Sequence, residues 1–129
     1  MINVKISSLL NSTETLQKLA NMKLKAKLSW QVSRLLKEAE REIQEFNEAR
    51  LALINKYGEK DENGELVTDE KNNCKIDNKF VKEFGSELEE LVGAEVELNA
   101  SKIDMNKLEE LDFTPSEMID LEPFIEMEE

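Results

Sequence analysis

The only tryptophan of the chain lies in a stripe of positive charges that is spaced for chemistry. Neighbouring members are three or four positions apart, and in an α-helix this spacing brings side chains to one face. An indole offers a stacking plane, an arginine can fork onto a phosphate, and lysines add point charges. The pattern therefore suits a small anionic ligand of nucleotide type. The predicted ligand-binding residues, called the basic stripe below, are Lys27, Trp30, Arg34, Lys37 and Arg41.

A simpler interpretation of Trp30 needs no ligand. The indole packs under the first helix or against a second subunit, and the stems of the neighbouring lysines and arginines cover its rim. This is the commoner arrangement in proteins, because large aromatic side chains are mostly buried and basic helix faces usually pair with acids. Ser29, Gln31 and Ser33 flank the stripe and can supply hydrogen bonds in either case.

A second group of polar residues follows part of a calcium-loop pattern. The match is incomplete, because position 1 of such a loop is normally Asp and the residues after Glu70 do not resemble an exiting helix. We therefore expect a turn-rich hairpin, keep calcium as the weak alternative, and expect no other metal or cofactor. The residues at loop positions 1, 3, 5, 7 and 12 are Glu59, Asp61, Asn63, Glu65 and Glu70.

The residues that usually carry catalysis are scarce. The chain has no histidine, which is the usual general base near neutral pH and the commonest metal ligand. Cys74 lies in a polar turn without a histidine partner, and the four glycines form no phosphate-binding loop. The many paired carboxylates are most simply a solvated face. We therefore expect a protein that is not an enzyme.

The basic stripe is carried by the strongest helical pattern in the sequence. Residues 25–57 contain neither Gly nor Pro, and apolar residues recur every three or four positions from Leu28 to Tyr57. The pattern predicts one helix of roughly 30 residues, about 45–50 Å long. The first helix covers only about half of that length, so either the C-terminal helices fold back over the rest or a second copy of the chain covers it. The length of the seam favours the second copy, and we expect a homo-oligomer.

The other elements are shorter, and together they predict a mainly α (α+β) fold. We expect one long central helix, shorter packing helices, a small β-hairpin and one or two short strands. The predicted segments are a strand at 2–6, a helix at 7–21 with Ser7 as its N-cap, a hairpin at 58–78, a helix at 78–92, a strand at 94–98 and a short helix at 103–111. The strand at 94–98 pairs either with 2–6 or with the hairpin. A last helix begins with Thr114 as N-cap and Pro115 at its first position, Glu117 completes a capping box, and Pro123 disturbs the end of this helix.

Length and charge limit the domain count and the partners. The 129 residues predict a single domain, 1–129, made of an N-terminal part (1–57), the hairpin (58–78) and an acidic helical part (79–129). Residues 1–56 carry a net charge of +4 and residues 57–129 a net charge of -16. The acidic part would repel duplex nucleic acid. The lack of a membrane-length apolar run and the single cysteine predict no membrane partner and a cytoplasmic location.

Three stretches are similar to a family of small phage and prophage proteins from Gram-positive bacteria: TLQKLANMKLKAKLSW, EFNEARLALINKYGEKDENGEL and LDFTPSEMIDLEPFIE. The resemblance implies a phage origin and brings no catalytic motif. It suggests a counter-defence protein in the host cytoplasm that sequesters a small nucleotide-type immune signal. The alternative is a protein–protein interaction module, either a phage assembly accessory or an inhibitor of a host defence enzyme, acting through its acidic face.

Overall fold

The computed structural model describes residues 1–68 and 74–126 and confirms the mainly helical α+β fold. Its contacts divide the chain into two compact units: unit 1 is Met1–Ile43 with Glu95–Glu129, and unit 2 is Gln44–Ala94. The single domain stays a prediction. In chain order the elements are β1 (Ile2–Lys5), α1 (Ile6–Asn11), α2 (Thr13–Ala20), α3 (Ala26–Tyr57), α4 (Val81–Gly93), β2 (Glu95–Leu98), β3 (Ile103–Asp104), α5 (Pro115–Leu121) and β4 (Ile125–Glu126), with 3₁₀ turns at Met105–Leu108 and Glu122–Phe124.

The long helix α3 begins and ends within one residue of its predicted bounds. In unit 1 its apolar stripe is buried in the hydrophobic core, as the spacing of three and four residues requires. The buried members of the stripe in this unit are Leu28, Val32, Leu35 and Ala39. The opposite face of the same segment carries the basic stripe, of which Trp30 is a member.

The two predicted strands of unit 1 form an antiparallel pair. β1 and β2 align with Ile2 opposite Leu98 and Val4 opposite Val96. Alternate residues of β1 are buried, because successive side chains of a strand point to opposite faces. Of the two pairings that the sequence left open for residues 94–98, the one with the N-terminal strand is therefore correct.

The prediction of one helix at 7–21 is wrong, because α1 and α2 are separated at Ser12. This serine is 1% exposed, and its hydroxyl lies 2.9 Å from the carbonyl oxygen of Asp120 in α5 and also close to the carbonyl oxygen of Ser8. Ser7 is not the N-cap either: α1 begins at Ile6, and Lys5 precedes it without a side-chain cap. At this break the chain contacts α5, which lies far away in sequence.

The capping box at the start of α5 is confirmed. Thr114 Oγ1 accepts a hydrogen bond from the Glu117 backbone N–H at 3.2 Å, and Glu117 Oε1 accepts one from the Thr114 N–H at 2.9 Å. Lys18 Nζ of α2 lies 2.9 Å from the same carboxylate oxygen. The pKa of Glu117 lies below its ordinary value, first because of the Thr114 N–H and then because of Lys18. Pro123 lies in the 3₁₀ turn that follows α5, as expected.

The predicted helix at 103–111 is also wrong in part. Ile103 and Asp104 form β3, which pairs in parallel with β4, and only Met105–Leu108 forms a helical turn. Ile103 is opposite Ile125, and both side chains are buried in the core of unit 1. The helical spacing of the apolar residues gives way here to a strand pairing that local sequence does not encode.

In unit 2 the predicted hairpin is a set of antiparallel bridges. Gly58 pairs with Ile76, Lys60 with Leu66, and Thr68 with Cys74. Asp61 Oδ1 accepts hydrogen bonds from the N–H groups of Asn63 at 2.9 Å and Glu65 at 3.0 Å, and Gly64 adopts a φ of 80°, which glycine tolerates without strain.

An aromatic cluster lies at the end of α3 in the same unit. The Tyr57 ring lies 5.4 Å from the ring of Phe80 and 6.5 Å from that of Phe84. Lys56 Nζ lies over the Tyr57 ring and 3.7 Å from Glu87 Oε1. The pKa of Lys56 lies above its ordinary value, first because of a hydrogen bond with the Tyr57 side chain and then because of the Glu87 carboxylate.

Candidate functional site

Trp30 lies on the surface of unit 1, one turn from the beginning of α3. Its side chain is 64% exposed, whereas Leu28 and Val32, two positions away on either side, are buried. A helix advances about 100° per residue, so the core takes one face of α3 and the indole takes another. Within one chain, then, Trp30 is not part of the core. The interpretation of Trp30 as a packing residue therefore requires a contact with a second copy of the chain.

Arg34 lies beside the indole and is held in place by the main chain. Its guanidinium carbon is 5.6 Å from the centre of the Trp30 ring, within the range of a cation–π contact. Its Nε donates a hydrogen bond to the Asn99 carbonyl oxygen at 3.2 Å. Arg34 makes no ion pair with any described residue. The two terminal nitrogens of the guanidinium therefore keep their donors for a ligand.

A hollow of about 390 Å³ lies next to this pair. The β1–β2 register explains its composition, because pairing of Ile2 with Leu98 brings Met1 beside Asn99. One atom of its lining is unusual: Gln31 Oε1 is buried and has no hydrogen-bond partner among the described residues. Leaving a buried acceptor unpaired costs about 1–3 kcal/mol, and a ligand donor would recover that cost. The hollow is lined by Met1, Trp30, Gln31, Arg34, Asn99, Ala100 and Ser101.

The structure brings only two members of the basic stripe together. Lys27 lines a different cavity, at the beginning of α3, and Lys37 lines a shallow hollow beside Ser33 and Glu40. Arg41 is neutralised by its own helix, because its Nη2 lies 3.3 Å from Glu38 Oε2 and 3.5 Å from Glu42 Oε1. The candidate site is therefore Trp30 and Arg34 with the hollow beside them, and it is called the Trp30 site below.

Sequence reasoning missed the part of the Trp30 site that comes from outside α3. Met1, Asn99 and Ser101 carry no chemical motif, and the spacing within α3 says nothing about them. One signal was present, because the residue before β1 and the residue after β2 must be neighbours once those strands are paired antiparallel. That pairing was one of two open alternatives in the sequence.

The described residues of the calcium pattern lie in a turn and in the bridged segment beside it. Asp61 uses Oδ1 to accept two backbone N–H groups, and the segments on both sides of the turn form β-bridges, as do residues 74 and 76. Glu59, Asn63 and Glu65 lie on the same turn-rich segment, and Glu70 lies outside the described residues. In residues 1–68 and 74–126, no three acidic or cysteine side chains are grouped so that they could hold a metal ion.

The described part of the chain defines a small, mainly helical α+β protein with an exposed tryptophan–arginine pair. In that part, no helix has the length and apolar character that crossing a bilayer requires. A search of protein-family models, of curated proteins and of solved structures finds no match for the chain.

Proposed function

We propose that this chain is a non-enzymatic binding protein whose Trp30 site holds a small planar anion of nucleotide type. The observation that carries the proposal is the exposed indole with an arginine beside it that has no carboxylate partner among the described residues. The exposed indole leaves apolar surface in contact with water, and a partner that stacks on the ring would remove that surface from water. A nucleobase is a partner of matching shape and polarity.

Each part of the site suits a different part of a nucleotide. Stacking of a base on an exposed aromatic ring contributes about 1–3 kcal/mol. The free terminal nitrogens of Arg34 can form charge-assisted hydrogen bonds to a phosphate. Gln31 Oε1 has no hydrogen-bond donor among the described residues, and the exocyclic amine of a base would supply one. Binding by these contacts needs no general base, which agrees with a chain that has no histidine.

The biological role that we propose is sequestration of a nucleotide-type immune signal by a phage protein in the host cytoplasm. This step depends on the sequence resemblance to phage and prophage proteins. Sequestration requires tight binding and slow release only, so that a bare binding site is sufficient. A homo-oligomer would present the Trp30 site more than once.

A second candidate, a protein–protein interaction module, is favoured by α4. This helix has an amphipathic sequence, yet it contains no buried residue. Val81 is 52% exposed, and the acidic side chains of Glu83, Glu89 and Glu90 are exposed as well. A protein that covers the apolar side of α4 and carries positive charge would fit it. A phage assembly factor or a host defence enzyme is the partner that this alternative implies.

Fluorescence of the single tryptophan tests the first proposal directly. Purified protein is titrated with AMP, ADP and cyclic dinucleotides, and we expect saturable quenching by at least one of them. Arg34→Ala should weaken that ligand about 10- to 100-fold, because a hydrogen bond to a charged group contributes about 1.5–3 kcal/mol. Arg41→Ala is the matched control, since Arg41 lies on the same helix and is already paired with glutamates.

The two arginine variants separate the possible results. Loss of quenching in Arg34→Ala with normal quenching in Arg41→Ala supports the Trp30 site. Equal loss in both variants would mean that general charge, and not this site, binds the ligand. An unchanged emission spectrum across the whole panel would refute the nucleotide proposal and leave the interaction module as the remaining candidate.

A further inference from the structure

A second cavity among the described residues lies apart from the Trp30 site. It has a volume of about 460 Å³ and is formed by the connection before α3, the first turn of α3, and the segment around the 3₁₀ turn Met105–Leu108. All of these segments belong to unit 1. Cavities of this size hold small organic ligands.

The charge of this cavity is opposite to that of the whole protein. Four lysines line it, Lys23, Lys25, Lys27 and Lys107, against a single carboxylate, Glu110. The cavity therefore carries a net charge of +3 in a chain whose net charge is -12. Within the described residues, none of the four lysines forms an ion pair. The four lysines are exposed, so water and salt screen much of their mutual repulsion, and a bound anion would lower it further.

The floor of the cavity is apolar. Leu28 is 7% exposed and belongs to the core, and Leu24 and Leu111 are half-buried against that core. The sequence KLKAKL at 23–28 produces this arrangement, because lysines alternate with apolar residues as the chain enters α3. The first turn of α3 contains no acidic residue, so that no carboxylate there offsets the partial positive charge of the helix end.

We propose that this cavity is a second binding site, for a small organic phosphate with an apolar or aromatic body. The lysines hold the phosphate group, and the three leucines contact the body of the ligand. Free inorganic phosphate would use the lysines only and would bind more weakly. The proposal is independent of the Trp30 site, because the two sites have different linings and Lys27 is the only stripe member in this cavity.

The test uses phenyl phosphate and inorganic phosphate as probes in a two-dimensional amide NMR titration of the full chain. We expect phenyl phosphate to shift the amide signals of Leu24, Leu28 and Leu111 in a saturable way. We expect Lys107→Ala to weaken its binding about fivefold, from the loss of one charge near the phosphate. The matched control is Lys102→Ala, which removes an exposed lysine that does not line the cavity.

Each outcome decides the proposal. Saturable shifts at the leucines, weaker binding of inorganic phosphate, and an effect of Lys107→Ala that Lys102→Ala lacks would support it. Non-saturable shifts, equal binding of both probes, or equal effects of the two lysine variants would overturn it. Repeating the titration with Arg34→Ala keeps the sites apart, since this variant should bind phenyl phosphate at the cavity with unchanged affinity even if the Trp30 site binds nothing.

Discussion

Ser12 offers the sharpest test of how unit 1 is held together. Its hydroxyl is buried between two carbonyl oxygens, and only one hydrogen is available to them. The Ser8 carbonyl already accepts the Ser12 backbone N–H at 3.1 Å. Either carbonyl can accept the hydroxyl hydrogen, and the bond to the Asp120 carbonyl, 2.9 Å away, is the one that connects the α1–α2 junction to α5. Ser12→Ala removes this one donor and changes the volume of the side chain very little.

We expect Ser12→Ala to lower the free energy of unfolding by about 1–2 kcal/mol. A buried hydrogen bond contributes about 0.5–1.5 kcal/mol, and an acceptor left without a donor costs about 1–3 kcal/mol. Asp120 is only half-buried, so water compensates part of that loss. With a urea dependence of about 2 kcal/mol per molar, the middle of the usual range, the unfolding midpoint should fall by roughly 0.5–1 M.

The assay is urea unfolding followed by far-ultraviolet circular dichroism, because the exposed indole of Trp30 reports poorly on the core. Ser33→Ala is the control, since Ser33 is exposed on α3 and its replacement should change stability by less than about 0.5 kcal/mol. Equal midpoints for Ser12→Ala and Ser33→Ala would refute the role given to the hydroxyl. The break between α1 and α2 would then need another cause.

Three further predictions concern local features. Thr114→Ala should cost about 1 kcal/mol of stability in urea unfolding, as loss of an N-cap does. Glu117→Gln should lower the free energy of unfolding at neutral pH and leave it unchanged at strongly acid pH. The reason is that folding lowers the pKa of Glu117. The ionised carboxylate therefore stabilises the fold fully above the ordinary pKa of about 4.3, and this stabilisation disappears as the pH falls through the pKa of the folded state. A stability difference that persists at the acid end would contradict this. Gly58→Ala should lower the free energy of unfolding by about 1–3 kcal/mol, because the new Cβ would collide with the Ile54 carbonyl oxygen and the Leu66 side chain. Amide hydrogen exchange in unit 2 should become faster. Exchange rates equal to those of the unchanged protein would disprove the collision.

The sequence predicted those parts of the fold that depend on residues close together in the chain. The length of α3 follows from an uninterrupted apolar spacing, and the capping box follows from Thr114 and Glu117, three positions apart. The pairing of Arg41 with Glu38 also follows from the sequence, because residues three positions apart on a helix are neighbours.

Other features depended on contacts between distant segments. The break at Ser12 coincides with the hydrogen bond to Asp120, and the β3–β4 pair brings Ile103 opposite Ile125 in the core. The apolar residues of both segments do follow helical spacing. The local preference for helix is small, however, and contacts with distant segments of the chain can outweigh it.

The candidate sites divide in the same way. The sequence alone determined that Trp30 and Arg34 share a face of α3 turned away from the apolar stripe, because helix geometry fixes their relative position. Only the tertiary structure decided that Met1 and Asn99 complete the Trp30 site and that Lys27 belongs with Lys107 in another cavity. The spacing of residues along a helix relates only those side chains that lie within one or two turns of each other. Strand pairing and core packing instead join residues that lie about 80–100 positions apart, and the spacing cannot reveal those contacts.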